Sequence, residues 1–355
     1  MKILLIQYKM LGDVLMSTVI ADQLKLIFPD CHIDYLVAAN ATDIVLEHPS
    51  IDGIIAVKKE EFDGLGSAIS LSRKLKKKKY DLLIDAYCKN NSALLSLLSN
   101  IPKRIGYKKW FSKIAYSEQV NEKPKLGLFS TGEAVGTRLM LTEPLAEAIE
   151  WDLKPKIQLT KQEKAEGLQW IQKHGLNPTK KLTMVSVLGS SENKTLPFET
   201  MAQIIDLHIK NTSSQVLFNY IPSQKSKVER IYSLCKKETQ SSIFLEAFAP
   251  SIREFLKILS HCDACAGNEG GAINMAKALN VPTFSIYSPW IKKMAWNTGE
   301  DGKNHISVHL ADFEPELYKD HRPVDFKHKT KELYSRFNAE DIYSELYKFE
   351  GFHFK

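Results

Sequence analysis

The sequence predicts an α/β protein built from two doubly wound domains. Short apolar runs recur along the chain, each followed by a helical pattern. The alternation comes in two series, separated at residues 150–160 by a polar stretch that holds Trp151 and Pro155. At 355 residues the chain is long for one domain and ample for two. Open parallel sheets bind ligands beyond the carboxyl ends of their strands, so chemistry is expected in a cleft between facing domains.

In the first series, residues 2–7 read as a buried strand, Met10-Leu11-Gly12-Asp13 as a turn, and 14–28 as a helix stopped by Pro29-Asp30. Strands are expected at 32–37, 53–57, 80–85 and 101–107, with helices at 41–47, 66–79 and 92–98. Residues 132–149 are helical in pattern, with Pro144 breaking the run. In the second series, a helix over 162–174 ends at Gly175, and strands follow at 182–188, 215–219, 243–245, 262–266 and 282–287. Helices fill the intervals 197–210, 223–237 and 252–260, and a last helix covers 339–348. The expected domains are 1–155 and 156–330, with a helical tail, 331–355, packing back on the N-terminal domain.

Hydrophobic content of 44% and charged content of 25% exclude a disordered or fibrous chain. No apolar run approaches the ~18 residues of a membrane span, and the N-terminus turns polar too soon for a signal peptide, so a cytosolic location is expected. Five scattered cysteines argue against a disulfide framework. Cys262 and Cys265 have redox spacing but precede the helix start that would stabilise a thiolate, and they read as small buried hydrophobes. No second pair completes a zinc site. The net charge of +6 is uneven: between Arg73 and Lys113 the basic residues, Lys76 to Lys79 among them, face only Asp81 and Asp85. Such a window suits anionic partners such as phospholipid headgroups or acidic sugars, and no nucleic-acid-binding spacing accompanies it.

Three stretches carry chemistry. Ala266-Gly267-Asn268-Glu269-Gly270-Gly271 turns from a strand into a helix, where free N–H groups and the helix dipole favour an anion. Glu269 cannot bind phosphate and suits sugar hydroxyls. Gly12-Asp13 reads either as a helix cap or as a general base. The dipole keeps such a carboxylate ionised, which fits a nucleophile that loses its proton late. Gly189-Ser190-Ser191-Glu192-Asn193-Lys194 offers hydroxyls and a cation to a diphosphate. There is no P-loop, no G-x-G-x-x-G and no D-x-D, so neither a dinucleotide nor a metal is expected.

Together these motifs resemble glycosyltransferase family 9, the bacterial lipopolysaccharide heptosyltransferases. The resemblance rests on Leu11-Gly12-Asp13-Val14, on Tyr80 to Asp85 with Ile101-Pro102-Lys103-Arg104-Ile105-Gly106-Tyr107, and on Gly267 to Gly271 with Ala276 to Thr283, in that order. It implies a GT-B fold and an inverting, metal-independent transfer, without a cofactor, from a nucleotide-diphosphate sugar, usually ADP-heptose. The implied acceptor is an anionic lipid-linked saccharide at the cytoplasmic face of the inner membrane. Asp13 falls at the catalytic base. Ser190, Ser191, Lys194, Asn268, Glu269, Gly270, Gly271 and Asn274 fall on the donor side, and Gly12, Lys58, Lys59, Lys103 and Arg104 on the acceptor side.

The departures cluster on the donor side. Glu269 replaces Asp, Gly270 replaces a small hydroxyl residue, and Asn274 replaces His. Asn219-Tyr220-Ile221-Pro222 lacks the acid that would hold a ribose, and Ser288-Pro289-Trp290 stands for Gly-Pro-Thr. The altered loop motivates one alternative, a non-catalytic sugar-nucleotide or glycan-binding paralogue. A sugar-nucleotide epimerase would need a second acid–base group near Asp13, and the sequence offers no candidate.

Overall fold

The structure, a computed structural model, describes residues 1–122 and 132–354. It divides into two compact units, Met1–Gln158 and Leu159–Lys355. The first holds six strands, β1 (Lys2–Ile6), β2 (His32–Ala38), β3 (Gly53–Val57), β4 (Leu82–Asp85), β5 (Lys103–Tyr107) and β6 (Glu118–Val120). They lie in the order β3-β2-β1-β4-β5-β6, every pair parallel. Helices cover both faces of such a sheet, so its central strands are continuous apolar runs; Ile3 to Ile6 are fully buried. The helix Leu11–Ile27 is buried almost all round from Val14 to Leu24. Its polar residues are therefore partnered: Asp22 accepts from the Ser50 hydroxyl at 2.6 Å, and Gln23 from the Glu150 N–H at 3.0 Å.

The second unit holds β7 (Leu182–Ser186), β8 (Gln215–Phe218), β9 (Ala264–Asn268), β10 (Thr283–Ile286) and β11 (His305–Val308), all parallel, in the order β11-β10-β9-β7-β8. The strand expected at 243–245 shrinks to one parallel bridge, Val216 to Ile243, because the chain turns back where Ala247 N–H meets the Phe244 carbonyl. Counting that bridge as a strand, both sheets share one order. In each, the order reverses beside the first strand: between β1 and β4, and between β7 and β9. These are the topological switch points where open sheets bind ligands.

Two short strands at the sheet margins, β6 and β11, were not expected from the pattern. Pro144 lies within a 3₁₀ turn, Met140–Leu145, that follows the helix Glu133–Leu139. The tail corrects a sequence expectation: it belongs to the second unit. Helix Ala339–His353 packs against helix Phe198–Thr212, with Ile342, Leu346 and Phe349 in that unit's core. Its Glu350 is buried against His208, Oε1 to Nδ1 at 2.7 Å, and also accepts from the Asn211 amide. His208 Nε2 faces the Thr183 and Ser214 hydroxyls at 2.8 and 3.0 Å, so a polar chain runs from the tail to β7. No described helix is long and apolar enough to cross a membrane.

Candidate functional site

In the first unit the chain leaves β1 at the switch point, and Asp13 falls in the first turn of the helix Leu11–Ile27. It is not the N-cap. Met10 is, and the Asp13 carboxylate reaches back to the Met10 N–H at 3.5 Å. Its other oxygen, Oδ1, accepts from Arg138 Nη2 at 2.5 Å. Arg138 sits on the helix Glu133–Leu139, which packs along the Asp13 helix, and its Nη1 donates to the Ala134 carbonyl at 3.0 Å. The Arg138 Nε is buried and has no hydrogen-bond partner among the described residues. Asp13 thus keeps an oxygen with one weak partner, while the other is fixed by a charge-assisted bond. The Asp13 side chain keeps 26% exposure, and a Cβ on neighbouring Gly12 would have nothing within 4 Å.

An aromatic cluster lines the same edge. Tyr8, just past β1, stacks on Phe62 at 3.8 Å, and Tyr87, just past β4, meets both rings edge-on at 6.0 and 6.1 Å. The stack pins the segment after β3 to the loop before Asp13, so Lys58 and Lys59 stand on the Asp13 edge. Burial raises the pKa of the Tyr8 and Tyr87 hydroxyls, with Asp63 adding to it, so both stay protonated donors.

Lys103 and Arg104 require a correction. They open β5 and lie on the opposite edge of the sheet, about 10–13 Å of strand from its carboxyl end. Their cations are also committed. Lys103 Nζ donates to the Pro144 carbonyl at 3.3 Å, Arg104 Nε to the Ala115 carbonyl at 2.8 Å, and Arg104 Nη1 to the Ile101 carbonyl at 2.5 Å. They brace the sheet and do not face the Asp13 edge. Lys108 and Lys109, which follow β5, do.

In the second unit the turn after β9 and the loop after β7 are brought together. Asn268 is fully buried, and its carboxamide accepts from the Leu196 N–H at 2.8 Å and donates to the Ser186 carbonyl at 3.1 Å. Its side chain clamps the two loops and is not offered to a ligand. Ser190 and Ser191 are exposed, and the Ser191 hydroxyl donates to Asn193 Oδ1 at 2.6 Å. Lys194 Nζ lies 3.8 Å from Glu269 Oε2 and 5.8 Å from the Trp290 ring centre. That Glu269 oxygen is buried with no hydrogen-bond donor among the described residues. Burial raises the Glu269 pKa, and Lys194 and Lys277 oppose the rise. Gly270 and Gly271 open the helix Gly271–Ala278; a Cβ on Gly270 would meet nothing within 4 Å, so the helix start is accessible to an anion. Asn274 is buried in that helix's first turns.

The contacts of several residues escape a reading of the sequence. Arg138 is separated from Asp13 by 125 positions, and no local motif marks it. Lys277 is half-buried and donates through Nζ to Asn297 Oδ1 and to the Thr298 carbonyl, and desolvation pushes its pKa down to about 8 despite nearby Glu300 and Asp301. Trp290 donates to the Asn193 carbonyl at 2.8 Å and carries Lys327 over its ring at 5.1 Å. Beyond β8, a cavity of about 360 Å³ is lined by Tyr232 and Phe244 to Ala247, with Glu246 its one carboxylate.

Two parallel-sheet α/β domains, each with polar loops at its switch point, define the GT-B class of glycosyltransferases. Solved structures share the architecture. The glycosyl transferase family 9 protein of Veillonella parvula superposes with a TM-score of 0.75 at 16% identity, covering 94% of this chain and 97% of its own. For the E. coli ADP-heptose LPS heptosyltransferase II the TM-score is 0.69 at 18% identity, with 95% and 99% covered. By sequence, lipopolysaccharide heptosyltransferase 1 of Campylobacter coli is 25% identical over 301 residues, 81% of this chain and 84% of that one. The sequence model of glycosyltransferase family 9 (heptosyltransferase) matches residues 68–311. The chain belongs to glycosyltransferase family 9, and it is a glycosyltransferase.

Proposed function

We propose that this enzyme moves a heptose or related sugar from a nucleotide-diphosphate donor, ADP-heptose being the first to test. The acceptor would be a hydroxyl of a lipopolysaccharide inner core or similar lipid-linked saccharide. The observation that carries the reading is Asp13: a half-buried carboxylate at a switch point, held by Arg138 through one oxygen. Asp13 takes the acceptor hydroxyl proton as the new bond to the anomeric carbon forms. The bond from that carbon to the diphosphate breaks, the electron pair leaves with the diphosphate, and attack from the opposite face inverts the centre. Lys194, Ser190, Ser191 and the N–H groups at Gly270 and Gly271 stabilise the departing charge without a metal. Glu269 takes a donor hydroxyl through the carboxylate that Lys194 now approaches. The wall of Phe244 to Ala247 receives the nucleoside end, with Glu246 supplying the acid that residues 219–222 lack. The acceptor places the enzyme peripherally on the cytoplasmic face of the inner membrane.

The names of the relatives support a heptose donor, and the altered loop makes the donor the first thing to measure. In a panel of nucleotide sugars, ADP-heptose is expected to raise the thermal midpoint most. With the best donor, Asp13→Asn is expected to bind it normally and lose about 10²–10⁴ in kcat. Near-wild-type transfer by folded Asp13→Asn would overturn the assignment.

A further inference from the structure

The segment that leaves β5 carries the most exposed aromatic side chain of the described residues. Trp110 is 91% exposed and Ile114 is 74% exposed. Trp110 precedes the short helix Ser112–Ala115 and Ile114 lies within it, while Ser112 and Ala115 of that helix are buried. Water-facing tryptophan and isoleucine on one projecting knuckle are costly in a protein that stays in solution. Trp110 is held edge-on to Phe111 at 5.6 Å, and the Ser112 hydroxyl bonds both the N–H and the carbonyl of Lys109, at 2.8 and 2.9 Å, so the knuckle is braced.

Its surroundings are cationic. Lys108 and Lys113 are exposed and make no ion pair among the described residues. Lys109 pairs with Glu122 at 3.5 Å, and Glu118 is the other acid of this margin. Tryptophan and an aliphatic side chain between lysines is the composition of a bilayer interface anchor: the ring and the branched chain enter the headgroup–acyl boundary while the ammonium groups meet lipid phosphates.

We infer that Trp110 and Ile114, with Lys108 and Lys113, are a membrane-docking knuckle that seats the first unit on an anionic bilayer. The position supports this occupant over others. Trp110 follows the carboxyl end of β5, the sheet edge that carries Asp13, Lys58 and Lys59. A bilayer reached by this knuckle lies on the side from which a lipid-linked acceptor comes. The lysine run that ends the helix Leu65–Lys77 and continues to Lys79 does not share that edge: Lys78 is bonded to Asp34, in the amino-terminal half of β2, at 3.0 Å. The inference gives a place to the membrane association contained in the proposed function, but its test needs neither donor nor acceptor.

The full chain is tested for co-flotation with vesicles of phosphatidylcholine alone and with about 30% phosphatidylglycerol, at low salt and at roughly 0.5 M salt. Binding is expected on anionic vesicles and weakened by salt. W110S/I114S is expected to lower it about tenfold or more, and K108Q/K113Q to lower it by several-fold on anionic vesicles only. K76Q/K77Q/K79Q, which removes more charge from the lysine run, is expected to change it less than twofold. Lipid brominated in the acyl chain is expected to quench tryptophan fluorescence in the wild type and much less in W110F, a variant with no reason to misfold. Unchanged vesicle binding by W110S/I114S overturns the inference. It does so whether accompanied by a raised KM for a soluble, acyl-free acceptor, which would make Trp110 a sugar platform, or by loss of self-association, which would make the knuckle an interface between copies. Loss of binding in the lysine-run variant with W110S/I114S unaffected overturns it equally.

Discussion

At the scale of single residues, Gly267 has no room for a side chain beside the second switch point. Its φ is +118°, and an added Cβ would stand 2.5 Å from the Ser186 carbonyl oxygen, inside the β7–β9 pairing. Gly267→Ala therefore forces two central strands apart and strains the backbone. We expect a loss of about 2–4 kcal/mol in urea unfolding; a loss under about 0.5 kcal/mol would contradict the geometry. Residue chemistry was partly legible in the sequence. Asp13, Lys194 and Glu269 could be singled out as candidates because strand, turn and helix start are local signals. Arg138 was not, since its bond to Asp13 is made by packing between helices far apart in the chain. Lys103 and Arg104 were misplaced for a simpler reason. A basic pair beside a strand reveals its charge but not its end of the strand, and two cations at the start of β5 serve backbone carbonyls on the far edge.

At the scale of elements, the helix Lys161–Lys173 is fastened to the helix Ile252–Leu259 by a two-pronged ion pair. Arg253 donates to Glu163 through Nε at 2.6 Å and Nη2 at 2.8 Å. Glu163 also closes a capping box with Thr160, which fixes where its helix begins. The hydrogen bonds from Arg253, then that from the Thr160 N–H, hold the Glu163 pKa down at about 2. A carboxylate with a depressed folded-state pKa contributes stability above its ordinary value of about 4.3 and loses it as pH falls toward the folded value. Glu163→Gln is thus expected to cost about 1 kcal/mol at pH 7 and nearly nothing at about pH 2. Urea unfolding at the two pH values checks this; an equal cost at both would remove the ion pair from the account. Element boundaries followed the sequence where runs were long and apolar. They failed at the margins, where β6 and β11 are short, and at 243–245, where a strand pattern makes a single bridge before turning away.

At the scale of the molecule, the parallel alternation announced two domains because each strand must be buried on both faces. The tail's destination was not announced. An amphipathic pattern shows that a helix has a face to bury, not which sheet will receive it. Ile342, Leu346 and Phe349 enter the second unit's core, and each is worth about 1.5–3 kcal/mol of burial. Removing residues 338–355 also strips His208 of its buried carboxylate. The combined loss approaches the whole stability of an ordinary domain, about 5–15 kcal/mol. Calorimetry of that truncation is expected to show a transition for the first unit and none for the second at 37 °C. Two transitions near their wild-type temperatures would show the tail to be dispensable.

The Asn268 clamp has a bearing on how this enzyme could be re-engineered. One carboxamide ties the serine–lysine loop to the glycine turn, so the two form a single cassette. A graft that transplants the Gly267–Gly271 turn to change sugar preference, without its own partner for Leu196 and Ser186, strands a backbone amide in the interior and slackens the neighbouring loop with it. Libraries that vary residues 187–196 and 267–271 jointly, with Asn268 held constant, therefore sample altered preferences on an intact frame, whereas one-loop exchanges mostly sample damage.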